Sequence, residues 1–576
     1  MGTGIFGAWD YVVLILVLMI SSAIGLYYRL TGGKQKTVQE YLLADRDMSI
    51  TPVAFSLMAS FMSAITLLGV SSENYHFGIQ FVIINLSYIM FTAIAAYLYL
   101  PVFFKLQATS AYEYLERRYG KAARLAASCC YSLQMILYMS IVLYAPALTL
   151  EALTGITRHT AILSVGLVCT FYSTIGGMKA VLMTDVFQSL LMFAAVFSVI
   201  ICAVIQKGSF AEIWRIAEKG GRTTLLNFDP DPTVRHSWFT LIIGGGVTFL
   251  SLYGVNQTQV QRYLTIRSLK NARKALWLNL PILSLLSLST SFAGLSIYSK
   301  YYNCDPVLAN NIRQDDQLMP YFVVDSMGHI PGLSGIFVAG IFSASLSSLS
   351  AGLNSMAAVT MEDYWKPVYK SVKGRDFPEK ACTFLTKCLA LFYGISCVAI
   401  AFLAQYLGGV LQASLTIFGV VGGPLLGLFT LGMFTTIPNQ RGALTGLFVG
   451  LSLALWMAFG GPKPPPPKLP VSTSGCEDGV LRNITTSTSI HNNNDYFWLY
   501  RVSYLYNGVF GLISTLFVGY TSSLLFKYIF KEDSEDLDPN LFVPPLAKRL
   551  KRWRRSYKIA TLEEQMELHS NTGNGK

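Results

Sequence analysis

The chain has 576 residues, 52% of them hydrophobic and 13% charged, with a formal net charge of +12. A soluble domain carries roughly 25% charged residues, so this composition excludes a soluble globular protein and indicates a chain whose solvent is the lipid bilayer. The excess positive charge does not indicate nucleic acid, because it is gathered in loops between apolar runs and in a terminal tail.

In chain order, "MGTGIFGAWD" lacks the basic stretch of a cleavable signal, and residues 1–8 are read as an extracellular N-terminus before a first span at 9–30. Further windows long enough to cross a bilayer, ~20 apolar residues, fall near 50–70, 79–104, 125–150, 159–177, 180–206, 237–257, 275–299, 331–359, 382–405, 409–436, 441–460 and 502–527. Thirteen spans set the termini on opposite faces. The loops after the first, third, seventh and ninth windows carry Arg29, Lys34, Lys36 and Arg46; Lys105, Arg117, Arg118, Lys121 and Arg124; Arg262, Arg267, Lys270, Arg273 and Lys274; and Lys366, Lys370, Lys373, Arg375 and Lys380. All lie on one side, with the tail "KRLKRWRRSYK" at 548–558. The positive-inside rule makes that side cytoplasmic. Residues 528–576 then form a basic cytoplasmic tail suited to anionic lipid at the membrane surface.

The polar, Pro-rich loop 461–501 falls outside, where "NIT" at Asn483 is a usable glycosylation acceptor. The nine cysteines show no CxxC pair and no metal spacing. Most lie in apolar spans; Cys304 and Cys476 fall in loops and would pair if both face an oxidising side.

Setting aside the first span and the two at 441–527 leaves ten, which divide into five over 50–206 and five over 237–436. Five is odd, so the two sets cross the membrane in opposite senses, as an inverted repeat. Each opens on a segment rich in small residues: "FSLMASFMSAITLLG" (55–69) with Ser56, Ser60 and Ser63, and "LIIGGGVTFLSLYGVNQ" (241–257) with Gly244, Gly245 and Gly246. Such residues weaken helices, and an unwound midpoint at membrane depth is tolerated where it lines a cavity or binds an ion. Close helix packing is the plainer reading of either segment alone.

Two further features carry chemistry. In "FSASLSSLSAGLNS" (342–355) six of fourteen residues are serine, and Ala344, Ser347 and Ser348 share one helix face. Their oxygens, joined by carbonyls from a broken helix, suit a small hard cation; water or helix-to-helix hydrogen bonding is the alternative. Asp185 lies inside a span with no evident base at its depth, although Lys179 at the span's end reaches part way, and Gln188 shares its face. An acid so placed points to function. The six histidines lie in loops, span ends or the tail with no nucleophile–base spacing, which argues against an enzyme.

At these residues the chain resembles the sodium:solute symporter family, and within it the animal branch of sodium-coupled monocarboxylate, multivitamin and iodide transporters. The blocks are "ASFMSA" (59–64), "TSAYEYLERRYGKAARL" (109–125), "LYAPAL" (143–148), "GGMKAVLMTDVFQ" (176–188), "YGVNQTQVQRY" (253–263), "NSMAAVTMED" (354–363) and "FGVVGGPLLGLF" (418–429), within roughly residues 7–530. The resemblance implies an all-α integral membrane protein with a LeuT-type 5+5 inverted-repeat core, one extra N-terminal helix and two C-terminal helices. It implies one sodium ion held by the carbonyls of Ala59, Met62 and Ala344 and the hydroxyls of Ser347 and Ser348, with Asp185 nearby. Branch members often have Ser-Thr where this chain has Ser347-Ser348, and the serine keeps the oxygen.

A second sodium and the substrate are expected around Phe61, Ser63, Thr66 and Tyr138, with Gln188 counted to the set and Phe249, Leu411 and Leu415 lining the pocket. The iodide transporter has Gln at the position of Thr66 and Trp at that of Phe249, so Thr66 favours an organic carboxylate over iodide. The implied activity is sodium-driven import, across the plasma membrane, of a monocarboxylate or a carboxylate vitamin such as pantothenate or biotin. Sodium is the coupling ion, and no organic cofactor is implied. Another solute, such as iodide, a sugar or a polyol, or a non-transporting sensor on the same fold, stays open.

Overall fold

The computed structural model describes residues 6–31, 38–175, 177–406, 409–476, 496–530 and 537–554. The described residues hold no strand, as a bilayer solvent demands of a chain without a closed barrel. Helix α1 spans Ala8–Thr31. It is followed by α2 (Ile50–Phe61) and α3 (Ala64–Phe77), which meet at a 57° bend. The first set continues through α4 (Ile79–Leu106), α5 (Lys121–Thr154), α6 (Arg158–Ile175) and α7 (Met178–Lys207). The second set also opens on an interrupted helix, α8 (Thr240–Val255) and α9 (Gln257–Tyr263). It runs on through α10 (Leu269–Tyr301), α11 (Leu333–Lys373), α12 (Glu379–Ala404) and α13 (Val410–Phe434), and α14 (Gln440–Phe459) and α15 (Tyr504–Phe530) complete the bundle.

Ten of these helices are long and apolar enough to cross a membrane, or eleven with the bent pair, among the described residues. The windows at 159–177 and 237–257 coincide with shorter apolar helices that fall below that length. The centre of the bundle is formed by α11, whose apolar window is 94% buried, and by α2, which packs on α7, α10 and α11.

Each interruption is a polar residue that caps the helix after it. Ser63 ends α2 and starts α3: its Oγ accepts from Ile65 N at 3.2 Å, an N-cap in the middle of a span. The glycine triplet, expected to unwind the second segment, instead stays helical. A Cβ on Gly246 would stand 2.0 Å from the Phe91 ring, on Gly245 2.7 Å from Ile84, and on Gly244 2.6 Å from the Leu505 carbonyl. These glycines admit α4 and the start of α15 at close range, so packing is their role. The chain leaves helical geometry later, at Asn256 (φ −71°, ψ 132°), whose side chain accepts from Thr258 N at 2.9 Å to start α9.

One end of the bundle is strapped. Cys304 and Cys476 form a disulfide, and residues 468–475 run across the end of α3. Leu469 N donates to His76 O at 2.9 Å, Arg222 bridges Tyr75 O (2.7 Å) to Pro470 O (3.1 Å), and Lys468 pairs with Asp315. Glu73 on α3 takes a two-pronged contact from Arg235 (2.7 and 3.1 Å), which also reaches Gln412 on α13 at 2.9 Å. At the other end, Arg118 donates to the Gly432, Thr435 and Pro438 carbonyls around the end of α13. Residues 537–554 dock there, with Phe542 fully buried and Val543 N bonded to Met433 O at 3.1 Å. Asn483 and residues 555–558 of the basic tail lie outside the described residues.

Asp316 accepts from Val410 N, the first residue of α13, at 3.0 Å. Burial pushes its carboxyl up to about 7, against the Val410 amide, with Asp315 and Glu73 adding to the rise and Lys468 opposing it. A solvated aspartate titrates near ~3.9, so the strapped arrangement binds this proton more tightly than any arrangement that wets Asp316. The resulting stabilisation is complete below about pH 4 and is lost as pH rises through about 7. Thiol labelling of Ser414→Cys from this side, with the rate divided by the thiolate fraction at each pH, is therefore expected to slow as pH falls from 8 to 6, by at most roughly tenfold per unit. Asp316→Asn flattens that profile, and a profile unchanged by Asp316→Asn refutes the assignment.

Candidate functional site

The bend between α2 and α3 frees backbone oxygens in the middle of the bundle. Met62 (φ −81°, ψ 98°) leaves helical geometry while its N–H still donates to Met58 O at 2.7 Å. One turn of α11 faces this opening. Ser348 Oγ donates to Ala59 O at 3.4 Å, and Ser347 Oγ donates to Asp185 Oδ1 at 2.6 Å. Ala59, Met62, Ala344, Ser347, Ser348 and Asp185 are all at most 1% exposed. The structure thus brings Ser348 to the broken helix and Ser347 to Asp185.

Asp185 has a base at its depth, which corrects the sequence reading. Arg262 Nη2 stands 3.5 Å from Asp185 Oδ2, and both side chains are wholly buried. Arg262 Nε donates to Ser56 Oγ at 2.8 Å, Ser56 Oγ in turn donates to Asp185 Oδ2, and Arg262 Nη1 donates to Thr258 O at 2.9 Å. Lys179 stays exposed near the start of α7. Arg262 reads as a loop cation because "QRY" runs straight on into a basic loop. The interruption at Asn256 puts all of α9 into the interior instead. Gln188 is buried on α7, and neither its side-chain oxygen nor its nitrogen has a hydrogen-bond partner among the described residues.

Beside the bend lies a cavity of about 60 Å³. Phe61, Ser63, Thr66, Tyr138, Leu411 and Leu415 line it, six of the residues that the resemblance assigns to a second ion and the substrate. Phe249 stands one layer back: its ring stacks on Tyr253 at 4.3 Å and meets the edge of Phe61 at 6.0 Å. Gln188 is not part of the lining.

Sequence reasoning missed Asn256, Thr258, Gln259 and Ser414, which supply much of the polar wall. The signal for the first three is the run "NQTQ" (256–259), four polar residues in a row at the end of an apolar window. Gln259 Nε2 donates weakly to Leu57 O (3.4 Å), and its Oε1 has no partner among the described residues. No lining residue is charged. Pockets for small organic ligands run ~300–1,000 Å³, so this cavity is smaller than such a ligand needs and its wall must widen to admit one; Tyr138 packs against Phe418 at 4.4 Å in that wall.

The model of the sodium:solute symporter family matches residues 41–450. The chain is 54% identical to the "Putative sodium-dependent multivitamin transporter" of Drosophila melanogaster, over 96% of this chain and 94% of that protein. It is 43% identical to human sodium-coupled monocarboxylate transporter 1, over 91% and 88%. Among solved structures it resembles a Na+-coupled sialic acid symporter in a substrate-bound outward-open state, with a TM-score of 0.75 at 24% identity over 90% of this chain and 98% of that one. The architecture is therefore the LeuT-type fold of sodium symporters.

Removing one member of a buried ion pair costs about 3–5 kcal/mol, because the other charge is left uncompensated. Arg262→Met is therefore expected to deplete the protein at the cell surface, and Asp185→Asn combined with Arg262→Met to restore much of it. Surface biotinylation reads both. Full surface levels for Arg262→Met alone would show that the pair is not a structural requirement.

Proposed function

We propose, for a chain that belongs to the sodium:solute symporter family, that it uses a sodium gradient to import a small organic carboxylate by alternating access. The family and the relatives named above are transporters, not enzymes. The observation that carries the reading is the approach of the α11 hydroxyl face to the broken helix, with Ser348 Oγ 3.4 Å from Ala59 O. In this reading the carbonyls of Ala59, Met62 and Ala344 and the hydroxyls of Ser347 and Ser348 replace the hydration of a sodium ion. Because the Ser347 hydroxyl donates its hydrogen bond to Asp185, its lone pairs are left for a cation. Arg262 neutralises Asp185, so the acid acts mainly by orienting that hydroxyl and holding α7, α9 and α11 in register.

The substrate is assigned to the cavity beside Ser63, Thr66 and Tyr138. Its uncharged polar lining and the amino end of α3 suit a carboxylate, since a half-helix N-terminus presents the positive end of its dipole. The identity to the multivitamin transporter exceeds that to the monocarboxylate transporter, 54% against 43%, which favours a carboxylate vitamin over a lactate-like acid. A tenfold sodium gradient supplies about 1.4 kcal/mol, and membrane voltage about 2.3 kcal/mol per charge at 100 mV. A monovalent anion moving with one sodium carries no net charge and loses the voltage contribution; a second sodium near Ser63 and Tyr138 restores it.

We assign the strapped end to the outside of the plasma membrane, with the N-terminus outside, Asn483 glycosylated there and the basic tail on anionic lipid within. The Cys304–Cys476 disulfide agrees with an oxidising exterior.

Ser347→Ala with Ser348→Ala is expected to raise the sodium concentration for half-maximal uptake tenfold or more. Unaltered sodium dependence, with the protein present at the surface, would remove the ion from this site. A panel of labelled pantothenate, biotin, lactate and iodide, with sodium or choline outside, is expected to show sodium-dependent accumulation of a carboxylate and none of iodide. Accumulation at full rate in choline would overturn sodium coupling altogether.

A further inference from the structure

Helix α1 packs against α7 and α11, yet it leaves a cavity of about 530 Å³ between itself, α6, α7 and α11. Its walls are mostly apolar, including Leu26, Phe171, Val181 and Leu346. Phe171 is 69% and Leu26 51% exposed, so the cavity opens on the apolar flank of the bundle, where the neighbours are acyl chains. One wall atom is out of place in such a setting: Ser21 Oγ is buried and has no hydrogen-bond partner among the described residues. A buried hydroxyl without a partner costs free energy in hydrocarbon, so its presence points to a polar group on whatever fills the space.

The mouth of this cavity is polar. Ala180 also borders a smaller cavity of about 110 Å³, lined by Tyr28, Glu40, Asp45, Asp47, Gly177 and Lys179. Gly177 starts α7 with no side-chain cap, so the first N–H groups of that helix face the mouth beside the Lys179 ammonium. Acidic side chains stand on the other side. An apolar slot that ends in adjacent cationic and anionic walls matches a molecule with a hydrocarbon tail and a zwitterionic head.

We propose that this groove holds one glycerophospholipid with a primary-amine headgroup. Its tail lies along α1 over Leu346 and Ser350, its ester region accepts from Ser21, its phosphate sits over the start of α7 and Lys179, and its ammonium donates to Asp45 and its acidic neighbours. A quaternary choline head has no N–H to donate, so the acidic wall discriminates against it. Leu346 and Ser350 lie on the face of α11 turned away from Ala344 and Ser348, so the lipid backs the helix that presents those residues. The inference stands apart from the sodium reading, since no group of the proposed ion site touches the groove.

The experiment is native mass spectrometry of the delipidated full-length protein, titrated with phosphatidylethanolamine, phosphatidylcholine of the same acyl chains, or cholesterol. One phosphatidylethanolamine per chain is expected to survive activation, at least fivefold more than phosphatidylcholine, with no displacement by cholesterol. A Cβ on Gly25, another wall residue, meets nothing within 4 Å. Gly25→Trp is therefore expected to fill the groove and abolish the adduct. Asp45→Asn, on an exposed residue, is expected to bring the two phospholipids to parity while tail binding persists. Equal retention of both phospholipids by the unaltered protein, displacement by cholesterol, or an adduct unchanged in both variants overturns the proposal. If Gly25→Trp does not fold, the headgroup comparison and Asp45→Asn decide it.

Discussion

A helix interrupted inside a membrane must find partners for the backbone groups it releases, because hydrocarbon offers none. Everything distinctive in this bundle follows from where those partners come from. At Met62 and Ser63 the chain supplies them locally on one side, through the Ser63 cap, and from a distance on the other, through the serine-rich turn of α11. The oxygens left over at Ala59 and Met62 face the hydroxyl-bearing turn of α11 in the interior of the bundle.

The Asp185–Arg262 pair is the counterpart of that opening. It joins α7, which carries the acid, to α9, which carries the base, and through Ser56 and Ser347 it reaches α2 and α11 as well. Four elements from both halves of the chain thus converge on one buried carboxylate. A pair so placed contributes little net stability, since desolvation offsets attraction. What it supplies is register: a rotation of α11 or α9 would strand a charge or a hydroxyl, so the face that meets the broken helix is specified rather than merely allowed.

The strap over α3 lies at the same end of the bundle as the polar contacts that hold the start of α13. Arg235, Glu73 and Gln412 tie α3 to α13, while Asp316 holds the start of α13, so these elements are linked by polar contacts near one face of the bundle. Polar latches of this kind can be exchanged for water at modest cost, unlike the apolar packing of α14 on α15, where Gly446 and Gly519 bring two backbones into contact.

Much of this was legible in the amino-acid order. Apolar run lengths located the helices, because bilayer thickness imposes a length that composition alone must meet. The serine spacing at 344, 347 and 348 located a polar helix face, because helical periodicity is local. A weak point within 55–69 was legible from its small residues, whereas the cap that fixes the break at Ser63 was seen only in the structure. Only the tertiary structure decided the rest. It showed Gly244–Gly246 as packing surfaces and Asn256 as the true interruption, since a glycine's role depends on what stands opposite it. It moved Arg262 from a loop to the interior as the partner of Asp185, seventy-seven positions away in the chain, and it placed Phe249 behind the cavity wall. Those outcomes depend on which surfaces meet across the bundle, and no local pattern in a sequence encodes a meeting between residues that only the completed packing brings together.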